Sequence, residues 1–193
     1  MNRSRTTSRL GARGSSTLEF AAFAAAGVMI ASLGVDFVNY ARTRMRLDEV
    51  ASGTASYVST YQQLYAGDFP GLYKVAQQTA GNVDVTQTAG AVIFTGITNP
   101  NGTPTVAWRQ QTGSSSFTSN LGTVGGAPTN LWDGYAPPVG GSVVAVEVFT
   151  TWRPWGPVSM VWVQNPTSSK LGAVNMFQPR AALLAQVTPG NRP

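Results

Sequence analysis

Glu19 is the first acid in the chain, and it stands at the mouth of an apolar run. Arg13-Gly14-Ser15-Ser16-Thr17-Leu18-Glu19-Phe20 passes directly into AAFAAAGVMIASLGV. A carboxylate at that place can neutralise an ammonium or favour the positive end of a helix dipole. Few other side chains offer chemistry. The chain has no Cys and no His, which excludes thiol nucleophiles, disulfides, imidazole metal ligands and any Ser-His pair. It has no phosphate-binding glycine loop, no dinucleotide fingerprint and no carboxylate cluster at metal-ligand spacing. Asp84, Asp133 and Glu147 could in principle supply the acid pair of a glycosidase. Acids scattered this thinly read instead as surface solubility. Trp108, Trp132, Trp152, Trp155 and Trp162 could form a sugar- or surface-binding patch, with core and interface anchoring the simpler reading. No enzyme, cofactor or metal reading has a specific basis, so the expectation is a non-enzymatic protein.

The charge balance points away from nucleic acid. The formal net charge is +5. Arg3, Arg5, Arg9 and Arg13 precede any acid, and without residues 1–14 nine basic side chains face eight acidic ones. The basicity thus belongs to the N-terminal tail, whereas a nucleic-acid surface needs clustering in the folded part. Arg42, Arg44 and Arg46 sit among Asp36, Asp48 and Glu49.

Ser15 to Val35 holds 21 residues with Glu19 as its one charge. As a helix at ~1.5 Å per residue this matches one hydrocarbon thickness, so residues 15–35 are expected to span a membrane. The arginine tail before it places the N-terminus inside and the C-terminus outside. A secretory signal with a cleavage site near Ala24–Ala26 is the competing reading. The polar GSST and the early carboxylate are foreign to such a signal. Ala24, Gly27, Ala31 and Gly34 recur at helical spacing, a face on which another helix can approach closely in lipid. A charge at a helix centre costs ~2.5–3.5 kcal/mol to insert. Glu19 lies in the first turns, where the cost is smaller and the dipole helps, with Ser15, Ser16 or Thr17 as a possible cap.

In these residues the chain resembles the TadE/TadF-like minor pseudopilins of the tight-adherence (Tad/Flp) pilus. The likeness lies in a short basic leader ending in Gly14, Glu19 fifth after that glycine, Phe20 sixth, and then an apolar helix. GVDFVNYARTRMRLDEVASGTASYVS continues the likeness, and TVAWRQQTG and VVAVEVFTTWRPWGP are similar in style to the family's later strands. The resemblance implies cleavage between Gly14 and Ser15 by a prepilin peptidase. It implies that Glu19, with Phe20 beside it, pairs with the new α-amine at Ser15, within or between subunits. The implied partners are the peptidase, other pilins and pseudopilins, the inner-membrane assembly platform and lipid. The implied location is the bacterial inner membrane, single-pass, with an extracytoplasmic C-terminal domain. The alternative is an uncleaved membrane-anchored binding module whose Trp-rich β domain recognises a glycan or surface partner.

The elements that would carry these residues follow from periodicity. Leu47, Val50, Thr54, Tyr57, Val58, Tyr61, Leu64 and Tyr65 recur at helical steps, which predicts that the helix continues over 36–66 until Gly67-Asp68-Phe69-Pro70 stops it. Residues 67–193 form the rest of the external domain. Pro70–Ala80 reads as a short helix with Leu72, Val75, Ala76 and Thr79 inward. Strands are expected at 83–88, 91–98, 105–111, 142–152, 158–163 and 171–177, with 158–164 as a short helix the alternative there and NPNGTP as a hairpin turn. Residues 112–141 read as a long loop pinned by Trp132 and Tyr135, and the tail from Pro189 as frayed. The fold class is α+β, a long N-terminal transmembrane-plus-periplasmic helix packed on a small antiparallel β-sheet.

Overall fold

The structure is a computed structural model that describes residues 10–131, 135–154, 169–179 and 186–192, with 10–15 and 169 described by their backbone alone. The chain divides into two compact units, one holding the N-terminal residues through Tyr40 and the other beginning at Ala41. Helix α1 is Leu10–Ser59. The expected α+β class holds: a long apolar N-terminal helix and a four-stranded antiparallel sheet.

In the first unit, α1 carries an apolar stretch exposed on all sides. Phe20, Phe23 and Ile30 are 74%, 77% and 69% exposed. From Ser16 to Val35 only Ser32 is partly covered, its Oγ bonded to the Val28 carbonyl at 2.9 Å. A core helix of a soluble protein would bury such side chains.

In the second unit, α1 reverses character. Leu47, Val50, Ala51, Ala55 and Val58 are buried, at the three- and four-residue spacing of a helix face. They share one core with Leu72, Ala76 and Ala80 of α2 (Phe69–Ala80) and with one face of the sheet. Pro70 starts α2, where its missing N–H is no loss, and Gly81 ends it at φ 62°, its N–H bonded to Gln77 O at 3.1 Å.

The sheet runs β3-β2-β4-β5, with β2 Gly90–Thr98, β3 Thr105–Gly113, β4 Ser142–Trp152 and β5 Ser169–Phe177. The turn after β2 joins it to β3 as the NPNGTP signal predicts, with a bulge between Gly96 and Ile97. β2 and β4 are central and buried along nearly their whole length, which is why they read as continuous apolar runs rather than alternating ones. Register divides their side chains between two faces. Val92, Phe94, Val144, Val146 and Val148 meet the helices. Ala91, Ile93 and Phe149 lie on the opposite, outer face, where Phe117 covers them.

Four expectations need correction. The helix stops at Ser59, not Ala66. Ser59 Oγ and Thr60 Oγ1 bond the Ser56 and Tyr57 carbonyls at 2.6 and 2.7 Å, and Thr60 N–H closes on Tyr57 O at 3.2 Å, so the last turn tightens and ends. Leu64–Tyr65 (β1) then pairs in parallel with Val187–Thr188 (β6). Residues 83–88 form no strand, because the Asp84 carboxylate accepts the N–H groups of Thr86, Gln87 and Ala89 at 3.2, 2.8 and 2.9 Å and curls the chain. The tail past Pro189 is held: Gly67 N–H bonds Gly190 O at 3.1 Å and Arg192 reaches Asp68 at 3.1 Å. Tyr135 is 42% exposed rather than buried against the domain; Phe117 and Leu121 anchor the 114–130 segment, at 3% and 1% exposure. Trp132 and the strand expected at 158–163 lie outside the described residues.

Candidate functional site

The residues singled out by the sequence form a surface on the first part of α1. Gly14 and Ser15 lie within the helix, one turn past its start at Leu10. Glu19 and Phe20 follow on exposed turns. Ala24, Gly27, Ala31 and Gly34 are all exposed, and a Cβ added at Gly27 or Gly34 would meet no atom within 4 Å. The helix therefore brings these residues together by its own period. By length and composition α1 can cross a membrane, and only 6% of its most apolar window is buried.

A second constellation lies on the outer face of the sheet, and sequence reasoning did not assemble it. Glu147 stands opposite Ile93 on β2 and Val174 on β5. It is 1% exposed, so it is no surface acid, correcting the solubility reading. Its Oε1 accepts the Asn120 N–H at 2.9 Å. Its Oε2 is buried and meets no hydrogen-bonding partner among the described residues. Burial pushes its carboxyl above the usual range, while the Ser119 hydroxyl, the Asn120 N–H and the Arg109 charge pull back only in part. The available signal was position: an acid inside VVAVEVF must face a covered surface whichever way it points.

Glu147 is one of four sheet side chains that hold the 114–130 segment by its backbone. Arg109 donates to Gly122 O at 2.7 Å and to Thr95 Oγ1 at 3.3 Å. Gln111 donates to the carbonyls of Ser114 and Phe117 at 3.2 and 3.1 Å. Lys170 donates to Ser116 O at 2.5 Å and lies 5.1 Å from the Phe117 ring centre. Phe117 stacks on Phe149 at 5.5 Å. All four project from the outer face, as the strand alternation requires. Between segment and sheet is a cavity of about 480 Å³, with Glu147, Lys170 and Arg44 among its lining residues. Arg44, on α1, donates to Gly172 O on the edge strand.

Of the acids considered for a glycosidase, Asp84 and Glu147 do not pair. Asp84 is spent on its own loop, and its carbonyl accepts Thr150 Oγ1 at 2.7 Å. Thr150 and Glu147 are an odd number of residues apart on β4 and point to opposite faces. Asp133 lies outside the described residues. The tryptophans do not gather into a surface patch among the described residues: Trp108 is 9% exposed in the core, and Trp152 packs against that core. Trp155 and Trp162 are outside the described residues. Among the described residues no group of three acids could hold a metal ion. The chain matches no protein-family model, no curated protein and no solved structure.

Proposed function

We propose that the protein is a non-enzymatic, TadE/TadF-like minor pseudopilin of a Tad/Flp-type pilus. It sits in the bacterial inner membrane, N-terminus in and C-terminal domain out, is cleaved after Gly14 by a prepilin peptidase, and supports pilus assembly. The observation that carries this reading is the uncharged, exposed stretch from Phe20 to Val35 on a helix whose later turns enter a domain core. Such a helix has one half suited to lipid and one half committed to protein. Four arginines before it, at 3, 5, 9 and 13, favour the inward N-terminus.

Cleavage after Gly14 would create an α-ammonium at Ser15. In an apolar setting that charge needs a partner, and Glu19 is one helical turn away on its own chain. In a bundle of parallel helices the same carboxylate can serve a neighbour. The small residues at 24, 27, 31 and 34 leave room for that neighbour's backbone. A helix this poor in large side chains is also held less firmly by lipid than a leucine-rich one, which suits a subunit that must pass from membrane to assembly.

The test combines location and the carboxylate. The protein should stay in the membrane fraction through alkaline carbonate extraction, with its C-terminal domain open to protease from outside. Glu19→Gln should insert equally well yet fail to support piliation. A variant that assembles pili at the wild-type level would favour the uncleaved binding module, which gives Glu19 no task.

A further inference from the structure

The outer-face cavity has no part in helix insertion or leader cleavage, and its chemistry is unlike a packing defect. Two cations, Arg44 and Lys170, line it alongside a single acid, Glu147. The Lys170 and Arg44 side chains are exposed at their residues while Glu147 is 1% exposed, so positive charge is outermost and the carboxyl lies deepest. Glu147 Oε2 is buried with no hydrogen-bond partner among the described residues, the Ser119 side chain acting on the same carboxylate. Leaving a buried polar atom unpaired is unfavourable, and a ligand group there would relieve it. At about 480 Å³ the volume falls in the ~300–1,000 Å³ range of small-molecule sites.

We propose that this cavity binds a hydroxylated carboxylate of the sugar-acid class, a hexuronate, with its carboxylate at Arg44 and Lys170 and a hydroxyl at Glu147. The anion follows from the two cations: Lys170 bonds the Ser116 carbonyl, Arg44 bonds the Gly172 carbonyl and pairs with the exposed Asp48 at 4.0 Å, and each keeps donors beyond those contacts. The hydroxyl follows from Glu147. An ionised carboxylate accepts from a hydroxyl and a protonated one donates to it, so a hydroxyl satisfies Oε2 in either state. An ammonium would satisfy only the ionised form, which burial disfavours. Phe117 and Phe149 are nearly covered by one another and by the fold, so polar contacts rather than ring stacking would set the affinity. The site uses none of the tryptophans and is independent of the pilus reading.

Calorimetric titration of the full-length chain in detergent with sodium galacturonate tests this, with galactose and sodium acetate as matched probes. Galacturonate should bind saturably, and galactose and acetate much more weakly. Arg44→Gln and Lys170→Gln should each weaken galacturonate about tenfold, the loss of one charge-assisted hydrogen bond. Lys170 also holds the covering segment, so Arg44→Gln decides if Lys170→Gln lowers the melting temperature. Tighter binding of trigalacturonate than of the monomer would assign the site to a polysaccharide chain, and equal binding to the free sugar acid. No binding of galacturonate, or acetate or galactose binding as well as it does, would overturn the proposal.

Discussion

The carboxylate of Glu147, in the middle of the central strand β4, accepts the backbone N–H of Asn120 at 2.9 Å across 27 residues of chain. This bond fastens an irregular segment to one of the two buried central strands of the domain. It also commits a carboxyl group to a place with little water, and stability should record that commitment.

Burial raises the folded-state pKa of Glu147 above its unfolded value. Such a group stabilises the fold fully at pH below the unfolded pKa, and that contribution is lost as pH rises through the folded pKa. Wild-type protein should therefore lose stability relative to Glu147→Gln as pH climbs from the acid side through the raised pKa. The amide keeps an acceptor for Asn120 and never ionises. Melting temperatures of the two proteins across pH check this; parallel curves would show that Glu147 titrates normally.

Phe117 is the apolar anchor of the same segment, 3% exposed and stacked on Phe149. Phe117→Ala should cost ~3–5 kcal/mol if the site cannot collapse. Backbone amides of the 114–130 segment should then exchange with solvent faster, while those of β2 and β4 lose the least protection. Hydrogen exchange read by mass spectrometry separates this from uniform destabilisation.

Much of this domain could be read from sequence where one physical signal dominated. β4 was bounded correctly at 142–152 because β-branched residues run between a glycine pair and Arg-Pro. The helix α2 followed from its proline start and glycine end. Failures occurred where side chains act on distant backbone. Nothing local says that Asp84 will bind three of its own neighbours' amides, or that Arg109, Gln111, Glu147 and Lys170 will converge on one loop. That convergence needs the sheet register, because only β pairing places positions 109, 111, 147 and 170 on one face. The exposed half of α1 is legible throughout, since an uncharged apolar run of that length is read from composition alone.

Gly96 faces the indole of Trp108 across the β2–β3 pair, and any Cβ at that position would collide with the ring. Phe69 meets the same ring at 5.9 Å, so the indole has little freedom to move aside. Gly96→Ala should destabilise by ~1–3 kcal/mol through overpacking, despite alanine's better backbone entropy. Chemical denaturation measures it, and a neutral or stabilised variant would mean that Trp108 repacks.

Arg192 lies 4.7 Å from the Tyr61 ring centre and bonds Asp68 at 3.1 Å, closing the last described residues over the end of α1. Its side chain is 50% exposed, so screening keeps the ion pair small. Arg192→Ala should lower global stability by no more than ~1 kcal/mol. Proteolysis should nonetheless clip the β6 region sooner, as the parallel pair with β1 has only two residues on each side.

The small-residue face of α1 predicts a separation of insertion from assembly. Gly27→Leu with Ala31→Leu should insert at least as well, since both changes add apolar surface in lipid. The same protein should lose piliation, because the bulk blocks close approach of a second helix. Assembly at the wild-type level would show that this face meets lipid alone.

The proposed function turns on Gly14–Ser15 being a processing site. Its most direct test is the intact mass of the membrane-extracted protein, with and without a co-expressed prepilin peptidase. A chain beginning at Ser15 should appear only when the peptidase is present. A chain that begins at Met1 under both conditions, or beyond Ala26, would contradict it.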